Sequence, residues 1–469
     1  MNIYKIFKNI LYLLFSNILI KVFSALAMIL IAKHLGPASY GILSIGIAIA
    51  AVASYFTDLG TSNTFIREAT KVNMTAEKLL YKYAKIKFFL TITVIFIISV
   101  IILISYKDAL FRLVLLTTVI LSVIGISMQG FANTFFQAKQ QMKNIAIIKG
   151  LSGIFITVLF GLAIFFKMRV ELVAFLYGFS NILAGLIGIK LMKVKIEKND
   201  STSPLLNGLS AFAIAGLIAT VIPQMGPIIL EKVSSAKTVG FFMIAFRIPA
   251  ALYQLPGIVA SAFYPVLFEL ANQKKYSEHE KLSVMQVKLM SFFGLLMSIP
   301  LFLFADEIIN LLFGESWGVV STSLVILSGM ILLQSINFPL ADFVTTVGEQ
   351  VKRTIIMIIA MLVGVGSYIY LGGMYGSKGA AFSAIIIECT MLLGLLIVQR
   401  KLGMILLKGF IFNFVILLVT ILFYNNFLIN SIIHWMVVLI FVELIMTLLF
   451  IAFNYKLIRN LKKVKERGF

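Results

Sequence analysis

The residues of this 469-residue chain that could do chemistry are charged and amide side chains that interrupt long apolar runs. Lys21 lies near the middle of the first run, and Asn17 precedes it by one helical turn on the same face. Arg247 lies in the eighth run, and Gln254 follows on the same face. Because ionisable groups within membrane spans are costly and usually face a cavity, the two cations predict a binding site for an anionic group. The alternatives are carbonyl binding for Lys21 and snorkelling to the interface for Arg247.

Amide side chains form two polar stripes in other runs. Gln129 and Asn133 stand one helical turn apart in the fourth run, and Gln334 and Asn337 share a face in the tenth. Each stripe predicts either contact with a water-filled cavity or interhelical hydrogen bonds, which contribute about 0.6–2 kcal/mol each.

Three acidic residues also lie in the apolar runs. They are Asp58 in the second run, Asp342 in the tenth and Glu388 in the twelfth. Intramembrane carboxylates mark proton relays and ion pathways. These three are therefore the candidates for coupling transport to a proton or a sodium ion.

Motifs for metal binding, catalysis and nucleotide hydrolysis do not occur in the sequence. His34, His279 and His434 have no metal-ligand spacing, and Cys389 is the single cysteine. No P-loop, GxSxG or HExxH pattern is present. The sequence predicts a protein that is not an enzyme and that uses no metal or cofactor.

The elements that must carry these residues are membrane-spanning helices. Hydrophobic residues make up 61% of the chain and charged residues 13%, against roughly 45–50% and 25% in soluble domains. Only helices and closed barrels satisfy their backbone hydrogen bonds in lipid, and the runs are too long for barrel strands of about 10 alternating residues. We expect an all-α polytopic membrane protein of about 14 transmembrane helices, over residues 10–32, 42–62, 88–106, 112–136, 145–166, 172–192, 207–230, 239–266, 284–305, 319–345, 354–372, 379–399, 404–424 and 435–454.

The distribution of the net charge of +21 predicts the orientation of the chain. If the N terminus is inside, the segments on that side carry 30 of the 40 lysines and arginines and the outside loops carry 8. Cytoplasmic segments have this excess of positive charge. We expect a multi-pass protein of the cytoplasmic membrane, surrounded by membrane lipids, with both termini in the cytoplasm. No basic stripe interleaved with aromatic residues lies outside the spans, so nucleic acid is not an expected partner.

A weak internal repeat predicts the domain organisation. Residues 9–41 align without gaps on residues 208–240, which pairs Gly41 with Gly240 at a spacing of 199 residues. An even number of helices in each half gives parallel repeats, related by an axis along the membrane normal. We expect an N-terminal six-helix lobe, a cytoplasmic linker, a second six-helix lobe and a terminal helix pair with a basic tail, over residues 1–192, 193–206, 207–399 and 400–469.

Residues 30–69 contain three short motifs, Leu35-Gly36-Pro37 with Tyr40-Gly41, Asp58-Leu59-Gly60 and Ile66-Arg67-Glu68. This segment resembles the opening of the polysaccharide and oligosaccharide flippases of the superfamily that includes the MATE multidrug exporters. The second half repeats this opening over residues 234–245, and residues 312–317 and 376–388 resemble later parts of the same proteins, so the resemblance covers nearly the whole chain. One departure is Met225-Gly226, where relatives often carry an acidic residue, and this puts the coupling ion in doubt.

The resemblance implies two lobes around a central cavity, which rock between inward-open and outward-open states. It also implies that the substrate is an oligosaccharide linked to an isoprenoid pyrophosphate. Lys21 and Arg247 would then bind the pyrophosphate, lysine as a point charge and arginine through bidentate hydrogen bonds. Implied partners are the glycosyltransferases and the polymerase of a cell-surface polysaccharide. The alternative function is a MATE-type multidrug or small-cation antiporter. A third hypothesis is that the protein is a membrane-embedded glycosyltransferase or polymerase, which the short outer loops disfavour.

Overall fold

The structure, a computed structural model, is α-helical throughout its described part. It describes residues 3–69, 75–194, 216–252, 254–314, 317–428 and 434–454, with side chains from Phe23 onward except those at 254–259, 261–262 and 427–428. The helices are α1 (Ile3–Phe56), α2 (Thr61–Ala69), α3 (Ala76–Ser105), α4 (Ala109–Ala138), α5 (Met142–Phe165), α6 (Val170–Met192), α7 (Gly216–Val233), α8 (Ala236–Leu252), α9 (Gln254–Asn272), α10 (Tyr276–Leu303), α11 (Ala305–Phe313), α12 (Val319–Thr346), α13 (Gln350–Val398), α14 (Lys401–Phe423) and α15 (Trp435–Phe453). These ranges contain no strand. The predicted all-α fold class is confirmed.

Eleven helices of the described part are long and apolar enough to cross a membrane. Two of them, α1 and α13, contain a kink at Gly36 (φ +75°) and at Gly376 (φ +58°), and so each holds two of the predicted runs. Glycine tolerates these positive φ angles because it has no Cβ. The eighth predicted run is divided between α8 and α9, which carry internal prolines at Pro249 and Pro265. With these correspondences, thirteen of the predicted runs are found as helices, and the seventh, over 207–230, is helical from Gly216, where the described residues resume.

The chain forms two compact units. The first comprises Met1–Arg247 with Gly364–Ala380, and the second comprises Ile248–Val363 with Ala381–Phe469. The linker predicted over residues 193–206 lies outside the described residues from position 195 onward. The two six-helix lobes and the terminal helix pair stay predictions.

The core of the first unit is aromatic between α2, α3 and α4. The ring centroids of Phe65 and Tyr83 are 4.7 Å apart, and those of Tyr83 and Phe131 are 5.4 Å apart. All three rings are buried. Beside them α4 lies close to α6, because Gly125 has no side chain and a Cβ there would overlap the backbone of Asn181. This close approach brings polar side chains of the two helices together.

An aromatic stack and a close helix approach also stabilise the second unit. Phe292 of α10 stacks on Phe450 of α15, with their ring centroids 3.8 Å apart. Gly294 of α10 faces Ser335 of α12, whose Cβ would lie 2.7 Å from a Cβ added at the glycine. α10 and α12 therefore pack closely enough for their polar residues to form hydrogen bonds across the helix pair.

Candidate functional site

Arg247 lies on α8 in the first unit, and a buried tyrosine binds its guanidinium. Its Nε donates a hydrogen bond of 2.8 Å to the phenol oxygen of Tyr40 on α1, which has no exposed surface. The Arg247 charge also acts on the phenol of Tyr177 on α6. Arg247 forms no ion pair with a carboxylate of the described residues. A planar guanidinium held in this way suits bidentate binding of a phosphate.

Gln129 of α4 forms hydrogen bonds with α6, the helix that also carries Tyr177. Its amide nitrogen donates to the backbone oxygen of Asn181 at 2.9 Å and to Asn181 Oδ1 at 3.3 Å. Asn181 donates in turn to the backbone oxygen of Tyr177 at 3.1 Å. Gln129 thus makes an interhelical hydrogen bond, one of the two alternatives that its position left open. Asn133, one turn later, has a buried Oδ1 without a hydrogen-bond partner among the described residues.

Three predicted binding residues have side chains outside the described part of the chain. Lys21 and Asn17 lie on α1, and Gln254 is the first residue of α9. Their roles in substrate binding stay predictions.

Asp58 lies in the turn between α1 and α2, where it is ion-paired. Lys87 Nζ of α3 is 3.1 Å from Asp58 Oδ1, and the Lys87 side chain is only 6% exposed. Ser62 Oγ and Tyr83 Oη also donate to the carboxylate, at 2.5 Å and 3.5 Å. Burial raises the pKa of Asp58, but the Lys87 charge and the hydrogen bonds outweigh it, so that the pKa lies below its usual value. Asp58 therefore already has a cation and resists protonation.

Lys87, the partner of Asp58, is a charged residue within a helix that the sequence prediction missed. The predicted third run starts after it, at residue 88, which leaves Lys87 among the cytoplasmic lysines. In the structure α3 begins at Ala76, so Lys87 lies well inside the helix. Thr75 at the N-cap and Glu77 in the first turn are the sequence signals of this earlier start.

Asp342 of α12 is buried and is bound by an amide. Gln286 Nε2 of α10 donates to Asp342 Oδ2 at 2.9 Å, and the charge of Arg353 also acts on this carboxylate. Gln286 follows Lys87 by 199 residues, the spacing of the sequence repeat. Residues at repeat-related positions of α3 and α10 therefore both donate to an aspartate.

Glu388 of α13 is bound by two amides of α12. Gln334 Nε2 donates to Glu388 Oε1 at 2.7 Å, and Asn337 Nδ2 donates to Oε2 at 2.9 Å. Asn337 donates also to the Glu388 backbone oxygen at 3.0 Å. The structure thus brings the polar stripe of the tenth predicted run onto one of the three candidate carboxylates, and this juxtaposition could not be read from the sequence.

An apolar groove of 620 Å³ lies between α1, α3 and α7 in the first unit. Its lining extends from Leu90 on α3 to Tyr106, the residue after that helix, a length of about 24 Å at 1.5 Å per residue. One end carries polar groups: Lys232 Nζ lies 3.9 Å from the centre of the Tyr106 ring, and Tyr106 donates to Glu231 at 3.0 Å. The shape and lining suit an extended hydrocarbon chain.

Several solved structures resemble the chain. Lipid II flippase MurJ in an inward closed conformation matches with a TM-score of 0.71 and 17% identity, over 95% of this chain and 99% of that chain. An inward-facing MATE family transporter of the MOP superfamily matches with a TM-score of 0.67 and 15% identity, over 82% and 95%. A MOP superfamily transporter from Pyrococcus furiosus, described by the reverse polarity of its binding pocket, matches with a TM-score of 0.59 and 15% identity, over 85% and 96%. These likenesses show the fold.

The sequence itself identifies the family. No curated protein sequence matches the chain. Residues 6–271 match the family described as polysaccharide biosynthesis protein. Because this match spans more than half of the chain and agrees with the resemblance carried by residues 30–69, the chain belongs to the polysaccharide biosynthesis protein family, within the fold shared by MATE transporters and MurJ.

Proposed function

We propose that the protein moves an oligosaccharide carried on an isoprenoid pyrophosphate across the cytoplasmic membrane, for synthesis of a cell-surface polysaccharide. Membership of the polysaccharide biosynthesis family and a fold shared with a lipid II flippase support a flippase or exporter. The choice of an anionic substrate rests on the surroundings of Arg247. This intramembrane cation is bound by Tyr40 and has no ion pair among the described residues.

The energetics of a buried charge link this arginine to an anionic ligand. A charged side chain within a span is expensive unless it is paired or faces water. One neutral tyrosine satisfies part of the guanidinium but supplies no negative charge. A pyrophosphate would supply that charge, with Arg247 binding two of its oxygens and Lys21 of α1 contributing a second positive charge. Gln129, Asn133, Asn17 and Gln254 are proposed to provide neutral contacts to the substrate.

The apolar groove of the first unit supports a substrate with a long hydrocarbon tail. Along α3 its lining is apolar from Leu90 to Ile102 except at Thr93, and its polar end is formed by Ser105, Tyr106 and Lys232. A prenyl chain in this groove would keep its hydrocarbon out of water while the headgroup crosses. Transport would proceed by alternating access, from the cytoplasmic leaflet outward, with both termini cytoplasmic. The proposed partners are the glycosyltransferases that build the oligosaccharide and the polymerase that extends it.

Substitution of the arginine tests the proposal. In a strain that lacks the gene, Arg247→Ala protein should restore little surface polysaccharide, Arg247→Lys should restore part of it, and the exposed Lys237→Ala on the same helix should restore it fully. Lys21→Ala should act like Arg247→Ala. Membrane levels of each variant must be matched by immunoblot. Full restoration by both Arg247→Ala and Lys21→Ala would show that the pyrophosphate does not bind there.

The alternative function is a MATE-type multidrug or small-cation antiporter. The observation that favours it is Glu388, whose hydrogen-bond partners among the described residues are amides, because cationic drugs bind intramembrane carboxylates. Efflux of a cationic dye from intact cells separates the two functions. Dye efflux that depends on the protein, with unchanged surface polysaccharide, would support the antiporter.

A further inference from the structure

Another apolar groove, of 770 Å³, lies between α3, α4 and α6 of the first unit. Its wall on α3 extends from Tyr81 to Ile95, about 21 Å at 1.5 Å per residue. This α3–α4 groove shares no lining residue with the groove between α1, α3 and α7. The two grooves therefore lie on different faces of α3, and the α3–α4 groove has no part in the function proposed above.

The polar groups along the α3–α4 groove already have partners. The hydroxyl oxygens of Thr91 on α3 and Ser127 on α4 are 2.7 Å apart, and Thr91 donates to the backbone oxygen of Lys87 at 2.7 Å. The Lys87 ammonium, which also lines the groove, is paired with Asp58. The remaining wall beyond these groups is apolar, so the interior of the groove suits hydrocarbon better than a polar ligand.

Two further polar side chains stand at one end of the α3–α4 groove. Lys85 is exposed, and Tyr81, one helical turn before it on the same face of α3, is half-buried. Lys85 forms no ion pair with a carboxylate of the described residues. Lysine and tyrosine side chains at the end of an apolar surface are typical of contacts with lipid headgroups.

The charge around this end of the groove is positive. The described carboxylates nearby are each paired with another cation, in the pairs Asp58–Lys87, Glu68–Arg67 and Glu77–Lys139. Lys78 of α3 and Lys190 of α6 are exposed lysines without an ion pair among the described residues. The mouth of the groove is therefore complementary to a negatively charged group.

We propose that the α3–α4 groove binds one phospholipid of the bilayer whose headgroup has a net negative charge. Its phosphate would contact Lys85 and Tyr81, and its acyl chains would lie along α3 from Phe88 to Ile95. That apolar wall is about 10 Å long at 1.5 Å per residue, within the roughly 15 Å of hydrocarbon in one leaflet. Because α3 begins on the side predicted to be cytoplasmic, the lipid belongs to the inner leaflet, where anionic lipids attract basic residues.

The charge at the mouth distinguishes between headgroups. A zwitterionic phospholipid carries an ammonium group beside its phosphate, and this group would meet the positive surface formed by Lys78 and Lys190. An anionic phospholipid brings the phosphate without that repulsion. The binding site requires no transport of this lipid, so the proposal stands apart from the proposed function.

Two adjacent phenylalanines provide matched reporters of the bound lipid. Phe88 lines the α3–α4 groove and Phe89 does not, although their exposed fractions are 69% and 68%. Full-length Phe88→Trp and Phe89→Trp proteins are reconstituted into phosphatidylcholine vesicles that contain a minor fraction of phosphatidylglycerol with brominated acyl chains, which quench tryptophan at short range. After subtraction of the wild-type signal, the introduced tryptophan should be quenched more strongly in Phe88→Trp. Brominated phosphatidylcholine at the same fraction should quench both equally.

Substitution of the lysine tests the headgroup contact. In the Phe88→Trp protein, Lys85→Gln should weaken the apparent affinity for brominated phosphatidylglycerol by about fivefold, the effect expected of one lysine near a membrane surface. Lys78→Gln is the matched control, because Lys78 is an exposed lysine on the same helix that does not line the groove. It should leave the affinity unchanged. All of these substitutions are at exposed residues, so the fold should be retained.

Three outcomes would overturn the proposal. Equal quenching of Phe88→Trp and Phe89→Trp by brominated phosphatidylglycerol would show that no lipid is bound preferentially in the groove. Quenching that does not change in Lys85→Gln would show that the headgroup is not recognised there. Displacement of the brominated lipid by an isoprenoid pyrophosphate at lower concentrations than by unlabelled phosphatidylglycerol would assign the groove to the transported lipid. None of these measurements depends on polysaccharide production, so the lipid site and the proposed function can fail independently.

Discussion

Gly41 and Gly240 each lie against the first turn of the helix segment that contains the other. A Cβ added at Gly41 would overlap the carbonyl oxygen of Ala236, and one added at Gly240 would overlap the carbonyl oxygen of Pro37. The two glycines are 199 residues apart, and so are Pro37 and Ala236. Reciprocal contacts of this kind arise when two equivalent surfaces meet about a two-fold axis. The crossing is what parallel repeats related by an axis along the membrane normal would produce.

Side chains at this crossing should destabilise the protein. Gly41→Leu and Gly240→Leu each force a side chain into the opposing backbone, and overpacking of this type costs about 1–3 kcal/mol. The unfolding temperature in detergent measures the effect. Gly161→Ala is the control, because Gly161 is helical and a Cβ there meets no atom within 4 Å. An unchanged unfolding temperature in both leucine variants would show that the helices do not approach as described.

Loss of one partner of the Asp58–Lys87 pair should cost far more than loss of a surface pair. Asp58→Asn leaves the Lys87 ammonium, 6% exposed, without a counterion, and breaking a buried pair in this way typically costs about 3–5 kcal/mol. Combination with Lys87→Met should recover much of the loss. Chemical denaturation of the single and double variants measures the coupling. Glu77→Gln, which breaks a partly exposed pair with Lys139, should change stability by less than about 1 kcal/mol.

The same pair predicts how stability depends on pH. The pKa of Asp58 is lower in the folded protein than its ordinary value of 3.8, so protonation favours unfolding. The stabilisation is fully present at neutral pH, begins to weaken as the pH approaches 3.8, and is lost as the pH falls through the lower folded pKa. Unfolding temperatures of the wild type and Asp58→Asn should therefore converge in acid. Curves that stay parallel down to about pH 3 would contradict the ion pair.

Tyr40 should act on the substrate through Arg247. Tyr40→Phe removes the hydrogen bond to Arg247 Nε, and hydrogen bonds to charged groups contribute about 1.5–3 kcal/mol. The guanidinium is then no longer held in place for the proposed pyrophosphate, so the proposed flipping should fall by about 10-fold or more, since about 1.4 kcal/mol corresponds to a factor of ten. Surface polysaccharide and binding of an isoprenoid pyrophosphate to purified protein measure the loss. Tyr375→Phe is the matched control, since Tyr375 is exposed. Normal flipping in Tyr40→Phe would show that Arg247 needs no positioning.

Much of the architecture was predictable because apolar runs in lipid have few alternatives. The high hydrophobic content and the length of the runs leave only spanning helices as a solution, and the runs are found as helices in the residues that the structure describes. The repeat spacing of 199 residues between Gly41 and Gly240 also predicted which positions are equivalent. Helix ends were less predictable: α3 begins at Ala76, which moves Lys87 from a loop into the helix.

Sequence alone determined that charged residues lie within apolar runs, because hydropathy depends only on the order of residues along the chain. Tertiary structure decided which of those charges are balanced, because the partners come from helices distant in sequence. Asp58 and Glu388 are both acids within apolar runs, and only packing gives one the Lys87 ammonium and the other the amides of Gln334 and Asn337. Electrostatic energy falls with distance through space, and the fold sets that distance.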